Sequence, residues 1–148
     1  MSDYRVLITG SRTWADRTAV YGRLDDLLRE HQALTVVHGA CPKGADEIAG
    51  EWVTRAYRTS ELGTATAEAH PADWSRHGKR AGFIRNAEMV AAGADLCLAF
   101  IAPCATAQCE GKPPHGSHGA TQCAVLAEKA GIDVRRWYPD VPIQAASA

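Results

Sequence analysis

The chain has 148 residues, of which 46% are hydrophobic and 22% charged, and its formal net charge is −1. This size and composition are typical of a single soluble globular domain. The near-neutral charge argues against bulk electrostatic binding to nucleic acid or to an anionic membrane. No apolar run approaches the roughly 20 residues of a membrane span, and residues 1–5 lack signal-peptide features. The cysteine count is odd, so we expect reduced thiols and a cytoplasmic protein.

Short aliphatic runs alternate with amphipathic segments, which is the pattern of strands alternating with helices. In chain order we predict a strand at residues 4–9, a helix at about 16–31, a strand at 34–38, a helix at 45–56, a strand at 64–70, a helix at 78–92, a strand at 96–101, a helix at about 120–130 and a strand at 132–137. Gly93 is expected to cap the third helix in a left-handed conformation.

This alternation predicts an α/β fold with a doubly wound parallel sheet of five strands, in the order 3-2-1-4-5 and in three α/β/α layers. We expect one domain over residues 1–138, with a loop insertion at 102–118 and a loose tail at 139–148. Sheets of this kind bind ligands at the carboxyl ends of their strands, where strand order reverses. The residues that follow each strand are therefore the candidates for function.

Three predicted strand ends carry glycines, small hydroxyl side chains or cations. Glycine allows a ligand to approach the backbone, and a helix N-terminus favours an anion. A tight turn also needs glycine, but three such turns together favour an anion site. At the first two strand ends the ligand-binding candidates are Gly10, Ser11, Arg12, Gly39, Lys43, Gly44 and Asp46. Asp46 could bind a ribose, or simply be favoured by the helix dipole.

The usual nucleotide motifs are missing from these turns. Residues 39–44 lack the GK[ST] ending of a P-loop, and no GxGxxG follows the first strand. We therefore predict neither an ATP motif nor an NAD motif.

Four cations lie within ten residues, namely Arg76, Lys79, Arg80 and Arg85. They could form a solvated helix start. Cations at a helix N-terminus oppose the helix dipole, however, and an anionic ligand would offset that cost. Lys79 and Arg85 are therefore added to the ligand-binding candidates. Replacing Arg12 or Arg85 is expected to weaken binding and to leave folding nearly unaffected.

The loop insertion carries two thiols and two imidazoles in the pattern C-x4-C-x5-H-x2-H, at Cys104, Cys109, His115 and His118. This is a zinc ligand set, and the spacing allows one loop to wrap an ion, so zinc is the candidate cofactor. The alternative is that these are incidental loop residues and that His118 contacts a ligand instead. The other two cysteines of the second half of the chain, Cys97 and Cys123, are expected in the core.

Five segments carry a family resemblance: ITGSR, VHGACPKGADEIA, PADWSRHGKRAGFIRNAEM, ADLCLAF and HGATQCAVLAEKAGIDV. In this order they resemble the SLOG superfamily, which joins the SMF/DprA proteins to the Lonely Guy (LOG) phosphoribohydrolases. The chain looks most like the YspA-like branch, over residues 4–134. The resemblance implies a Rossmann-like fold, a nucleotide or ADP-ribose-like ligand, and a possible homodimer.

The LOG enzymes cleave the N-glycosidic bond of a nucleoside monophosphate, with motifs RKxEM and PGGxGTxxE. Residues 85–89 (RNAEM) match the first motif, and residues 116–122 match the second in part. Gln122 stands at the position of a catalytic glutamate, and an amide cannot act as a general base. The resemblance makes Arg85, Glu88 and Gln122 catalytic candidates, with Glu88 or Asp46 as substitute carboxylates. It adds Asn86, Gly119, Ala120 and Thr121 to the ligand-binding set.

Three functions follow from these observations. The first is a module that binds a nucleotide-like small molecule as a sensor. The second is a LOG-like hydrolase, which Gln122 disfavours. The third is a DNA-binding or interaction module that uses the cations at 76–85; the net charge disfavours it, so nucleic acid is not the expected partner. Trp14 or Trp74 could stack a base, although buried packing is expected for both.

Overall fold

A computed structural model of the chain describes residues 4–58 and 61–139. The predicted tail at 139–148 lies outside this part from residue 140 onward. The strands are β1 (Tyr4–Gly10), β2 (Ala33–His38), β3 (Thr64–Ala69), β4 (Leu96–Phe100) and β5 (Asp133–Trp137). The helices are α1 (Arg17–His31), α2 (Ala45–Arg58), α3 (Trp74–His77), α4 (Ala81–Ala92) and α5 (His118–Lys129), with single 3-10 turns at Gly78–Arg80 and Ala107–Cys109.

The sheet is parallel, and its strand order is β3-β2-β1-β4-β5, which confirms the prediction of an α/β Rossmann-like fold. Val6 of β1 pairs with Val36 on one side and with Leu96 on the other. One sheet face packs against α1 and α2, through residues such as Leu24. The opposite face packs against α4 and α5, where Met89 joins the two cysteines expected in the core. The chain therefore crosses from one face of the sheet to the other between β3 and β4, and the strand order reverses between the neighbouring strands β1 and β4.

The helix predicted at residues 78–92 is wrong in its first turn. Asp73 caps a separate short helix, α3, by accepting a hydrogen bond from the backbone N of Arg76 over 3.1 Å. Gly78 then takes a positive φ of 58°, which ends α3 before α4 begins. Gly93 has the positive φ expected of a cap, at 86°, but its ψ of 152° lies outside the left-handed helical region. Three of the four clustered cations thus precede α4, and Arg80 is its N-cap residue.

Two glycines at the strand ends are explained by packing alone. A Cβ on Gly10 would overlap the Cβ of Ala45 at the start of α2. Gly44 has a φ of 76°, and a Cβ there would overlap the carbonyl oxygen of Ser11. The turns after β1 and β2 are therefore in direct contact, and glycine is needed for that contact whether or not a ligand is present.

Candidate functional site

A pocket of about 440 Å³ lies at the carboxyl ends of β1 and β4, at the reversal of strand order. Residues from five segments line it. They include Gly10, Ser11, Arg12 and Thr13 after β1; Cys41 and Asp46 around the start of α2; Trp74, Lys79, Phe83, Arg85 and Asn86 from α3 to α4; Pro103, Ala105 and Thr106 of the loop; and Ser117, His118 and Gly119 at the start of α5. The sequence prediction placed the candidate site at this edge of the sheet.

One wall of the pocket is aromatic and cationic. The rings of Trp74 and Phe83 are 50% and 47% exposed, and the guanidinium carbon of Arg12 lies 5.5 Å from the centre of the Trp74 ring. The expectation that Trp74 is buried is therefore wrong. Trp14 is buried as expected, at 4% exposure, and it packs against Phe100 with ring centres 5.4 Å apart. Phe83 was missed, although an aromatic residue among clustered cations was a signal in the sequence.

A second part of the lining is the N-terminus of α5. Ser117 is the N-cap but its side chain makes no capping hydrogen bond; its hydroxyl instead pairs with the Ser11 hydroxyl. The Ser11 Oγ also accepts a hydrogen bond from the backbone N of Ala102 over 2.8 Å. Because the first amides of a helix have no partner within it, the amides of His118 and Gly119 are donors at the pocket rim. An anion is the natural ligand for such a rim.

Arg85 holds the end of β2 against α4. Its Nη1 donates to the carbonyl oxygens of Gly39 and, over 3.4 Å, of His70; its Nε donates to Oδ1 of Asn86 over 2.9 Å. The guanidinium occupies the space that a Cβ on Gly39 would need. Within the described residues its Nη2 makes no hydrogen bond, and the side chain also lines the pocket. Arg85 therefore has a structural role that the sequence prediction missed.

Asn86 continues this network to α5. It is 4% exposed, and its Nδ2 donates to Oε1 of Gln122 over 3.0 Å and to the Gly119 carbonyl over 3.3 Å. Gln122 does not line the pocket, and neither does Glu88, which is exposed on α4. The side chain at the glutamate position of the LOG motif thus joins two helices.

Asp46 is the only carboxylate among the described residues that line the pocket. It is 7% exposed, and its Oδ2 accepts a hydrogen bond from the backbone N of Cys41 over 3.2 Å. Burial raises the pKa of Asp46 to about 6, although the hydrogen bond from Cys41 and the charge of Arg85 act in the opposite direction. Asp46 can therefore exchange a proton near neutral pH.

The remaining ligand-binding candidates, including Gly39, do not line the pocket. Lys43 is exposed beside the packed Gly44, and neither lines the cavity. Ala120 is buried against Ile101, and Thr121 is exposed one residue further along α5. Only the first residues of that helix face the cavity.

The loop insertion brings the four proposed metal ligands together. One ligand atom from each of Cys104, Cys109, His115 and His118 lies within 4.8 Å of all the others. Hydrogen bonds from Thr106 lower the pKa of the Cys104 thiol to about 7, whereas burial and the neighbouring Cys104 raise the pKa of the Cys109 thiol. The sequence pattern thus corresponds to a cluster in space.

Comparison with known proteins identifies the family. Residues 4–77 match the model of the YspA, cpYpsA-related SLOG family. The chain is also 48% identical over 132 residues to the Gene 61 protein of Mycobacterium phage D29, and this match covers 88% of this chain and 93% of that relative. The chain belongs to the YspA, cpYpsA-related SLOG family. This confirms the resemblance, and the SLOG family match includes the turns after β1 and β2 and all of α3.

No helix in the described ranges combines the length and apolar character that crossing a membrane requires.

Proposed function

We propose that the pocket binds a phosphorylated nucleoside and that the protein acts as a sensing or binding domain, without efficient turnover. The observation that carries this proposal is the pairing of an aromatic, cationic wall with a helix N-terminus in one cavity. Its volume of about 440 Å³ falls in the range of small-molecule pockets. Membership of the SLOG family supports a nucleotide-related ligand.

The phosphate would lie between the amides that begin α5 and the cations of the aromatic, cationic wall. His118 and Gly119 offer backbone donors there, and Arg12 and Lys79 line the same cavity. Charge-assisted hydrogen bonds of this kind are worth roughly 1.5–3 kcal/mol each. The Nη2 of Arg85 is a further donor, held in place by the bonds of its Nη1 and Nε.

The base would stack on Trp74 or Phe83, whose rings are about half exposed at the pocket. Covering an exposed indole with a second ring removes apolar surface from water, which is favourable, and base stacking on such a ring contributes about 1–3 kcal/mol. Asp46 would accept a hydrogen bond from a ribose hydroxyl, because its carboxyl group lines the cavity beside Cys41.

A second candidate function is slow hydrolysis of the N-glycosidic bond with Asp46 as the carboxylate. The observation in its favour is the pKa of about 6, which suits general acid–base chemistry near neutral pH. Neither Gln122 nor Glu88 lines the pocket, so Asp46 would act without them. The DNA-binding alternative is less well supported, because Lys79 and Arg85 line the pocket.

The test is calorimetric titration of the purified protein with adenosine, guanosine, cytidine and uridine monophosphates, with inorganic phosphate and the free nucleosides as controls. We expect one nucleotide to bind far more tightly than either of its parts. Mass spectrometry of small molecules released by denaturation extends the search to ADP-ribose-like ligands. If no nucleotide binds and none is released, the proposal is wrong. Release of free base at about 1 s⁻¹ or faster would instead establish an enzyme.

A further inference from the structure

We propose that Cys104, Cys109, His115 and His118 hold a structural zinc ion that orders the loop at residues 102–118 and fixes one wall of the pocket. The four ligand atoms lie within 4.8 Å of one another. This inference does not depend on the identity of the small-molecule ligand, because the metal site is built within the loop and the first turn of α5.

The three distances from the Nε2 of His118 to the other ligand atoms match the edges of a zinc tetrahedron. With bonds of about 2.0–2.1 Å to nitrogen and about 2.3 Å to sulfur, two nitrogens lie about 3.3 Å apart and a nitrogen and a sulfur about 3.6 Å apart. The Nε2 atoms of His115 and His118 are 3.2 Å apart. The Nε2 of His118 lies 3.7 Å from Sγ of Cys104 and 3.4 Å from Sγ of Cys109.

Hydrogen bonding alone does not account for this convergence. A neutral imidazole nitrogen carries either one proton or one lone pair, yet the Nε2 of His118 faces two thiols and a second imidazole nitrogen. A single cation at the centre satisfies all four groups at once. Two thiolates with two imidazoles form a soft, tetrahedral set, which favours zinc among the common divalent ions.

The second ring nitrogen of His115 supports the same assignment. Its Nδ1 lies 2.8 Å from the carbonyl oxygen of Pro113, so Nδ1 carries the proton and donates it to that oxygen. The Nε2 then presents its lone pair to the cluster. A backbone carbonyl that fixes the tautomer in this way is the usual partner of a metal-bound histidine.

The loop also needs a source of order other than a hydrophobic core. None of residues 103–119 is buried. Backbone hydrogen bonds hold its two ends together, including the 2.8 Å bond from the N of Cys104 to the carbonyl oxygen of His115. Cys109 lies near the far end of the loop, in its 3-10 turn. A zinc ion would tie that end to the base, and all four coordination positions would be filled by protein, as in structural sites.

The first test is metal content after dialysis at neutral pH without chelator. We expect about one equivalent of zinc per chain. Cys104→Ser and Cys109→Ser should lose most of it, whereas the matched control Cys41→Ser, whose thiol lies outside the cluster, should keep it. Less than about a tenth of an equivalent in the wild-type protein, or full retention in both loop variants, would overturn the proposal.

A second test uses the wild-type protein, so it does not depend on the folding of a variant. Cobalt(II) added to the metal-free protein should give the intense ligand-field bands of a tetrahedral site and charge-transfer bands of two thiolates. Weak octahedral bands would contradict the proposal. So would a mass, measured without reductant, that shows a disulfide between the two loop cysteines in freshly purified protein.

A third measurement shows which part of the fold zinc orders, and it needs no nucleotide. Hydrogen exchange of the metal-free protein should be faster at residues 103–117 and unchanged in β1 and β4. Equal exchange of the loop with and without zinc would show that the ion does not order it, and would overturn that part of the inference. Nucleotide titrations of the two forms remain a separate experiment, so failure of the proposed ligand leaves these results intact.

Discussion

The side chain of Asn86 joins α4 to α5, because its Nδ2 donates a 3.0 Å hydrogen bond to Oε1 of Gln122. Asn86 is 4% exposed, so little of its side chain is open to water. Gln122, which the resemblance to the LOG enzymes places at a catalytic glutamate position, is thus a hydrogen-bond acceptor within the protein. Because of this hydrogen bond, two different substitutions of Gln122 should have different effects on stability.

We expect Gln122→Glu to fold with nearly wild-type stability, because a carboxylate oxygen can still accept from Asn86. Gln122→Leu should lower the free energy of unfolding by about 1–3 kcal/mol, since it leaves a buried donor unpaired. Urea denaturation of both variants measures the difference. Equal stability of the two would show that this hydrogen bond contributes little. Gln122→Glu should not release base from a nucleotide, because residue 122 does not line the pocket.

Arg85→Ala should destabilise the protein as well as weaken ligand binding. The substitution removes the donors to Gly39, His70 and Asn86, and a hydrogen bond to a charged group is worth about 1.5–3 kcal/mol. This replaces the sequence-based expectation that folding is nearly unaffected. The matched control is Arg80→Ala, on the exposed 3-10 turn before α4. A thermal midpoint for Arg85→Ala equal to that of the control would contradict the structural role.

The ionisation of Asp46 should make stability fall as pH rises. Its pKa is raised from 3.8 to about 6, so the folded state holds this proton more tightly than the unfolded chain does. Between about pH 4 and about pH 6 the unfolded state therefore binds fewer protons, and the free energy of unfolding decreases as the pH rises. Above about pH 6, ionisation of Asp46 lowers the free energy of unfolding by a constant amount, which is about 3 kcal/mol for a shift of two pKa units.

Asp46→Asn removes this titration and keeps an oxygen that can accept from Cys41. The stability of the variant relative to wild type should thus increase between about pH 4 and about pH 6 and stay constant above that range. Glu47→Gln, on the exposed face of the same helix turn, is the control and should follow the wild-type profile. Urea midpoints across the pH range measure the effect. Parallel profiles for wild type and Asp46→Asn would show that the carboxyl is not perturbed.

Arg12→Ala should weaken nucleotide binding by about ten- to a hundredfold, because it removes a charge-assisted contact with the phosphate. Trp74→Ala should weaken it by about tenfold through the loss of base stacking, and Trp74→Phe by less. Arg29→Ala removes a positive charge from the exposed end of α1 and should leave binding unchanged. If Arg12→Ala and Arg29→Ala bind equally well, Arg12 does not contact the ligand.

The fold could be predicted because the central strands are continuous aliphatic runs. All five residues of β4 are buried, and that strand was correctly placed to within one residue. The third strand has the weakest apolar pattern, and the reason is structural: β3 is an edge strand in which only Ala65 of six residues is buried. Segments that face solvent carry little of the pattern from which strands are predicted.

A pocket does lie at the edge of the sheet where the sequence predicted the candidate site, but the contacts of several of its residues could not be predicted. Arg85 contacts Gly39 across 46 positions in sequence, and Asn86 contacts Gln122 across 36. Such pairings depend on the completed fold and leave no local signal. Glycine at a strand end is ambiguous for a similar reason, since Gly10 and Gly44 are required by neighbouring residues that only the folded structure reveals.

The loop insertion leaves the sheet and returns to it at nearly the same point. The backbone N of Ser117 donates to the carbonyl oxygen of Ala102 over 2.9 Å, and Pro103 pairs with Gly116 in an antiparallel bridge. A loop whose two ends are held together in this way can be lengthened or shortened with little effect on the sheet, because closing a longer loop adds little entropic cost. The length and composition of one wall of the pocket can therefore change while the strands beneath it keep their pairing.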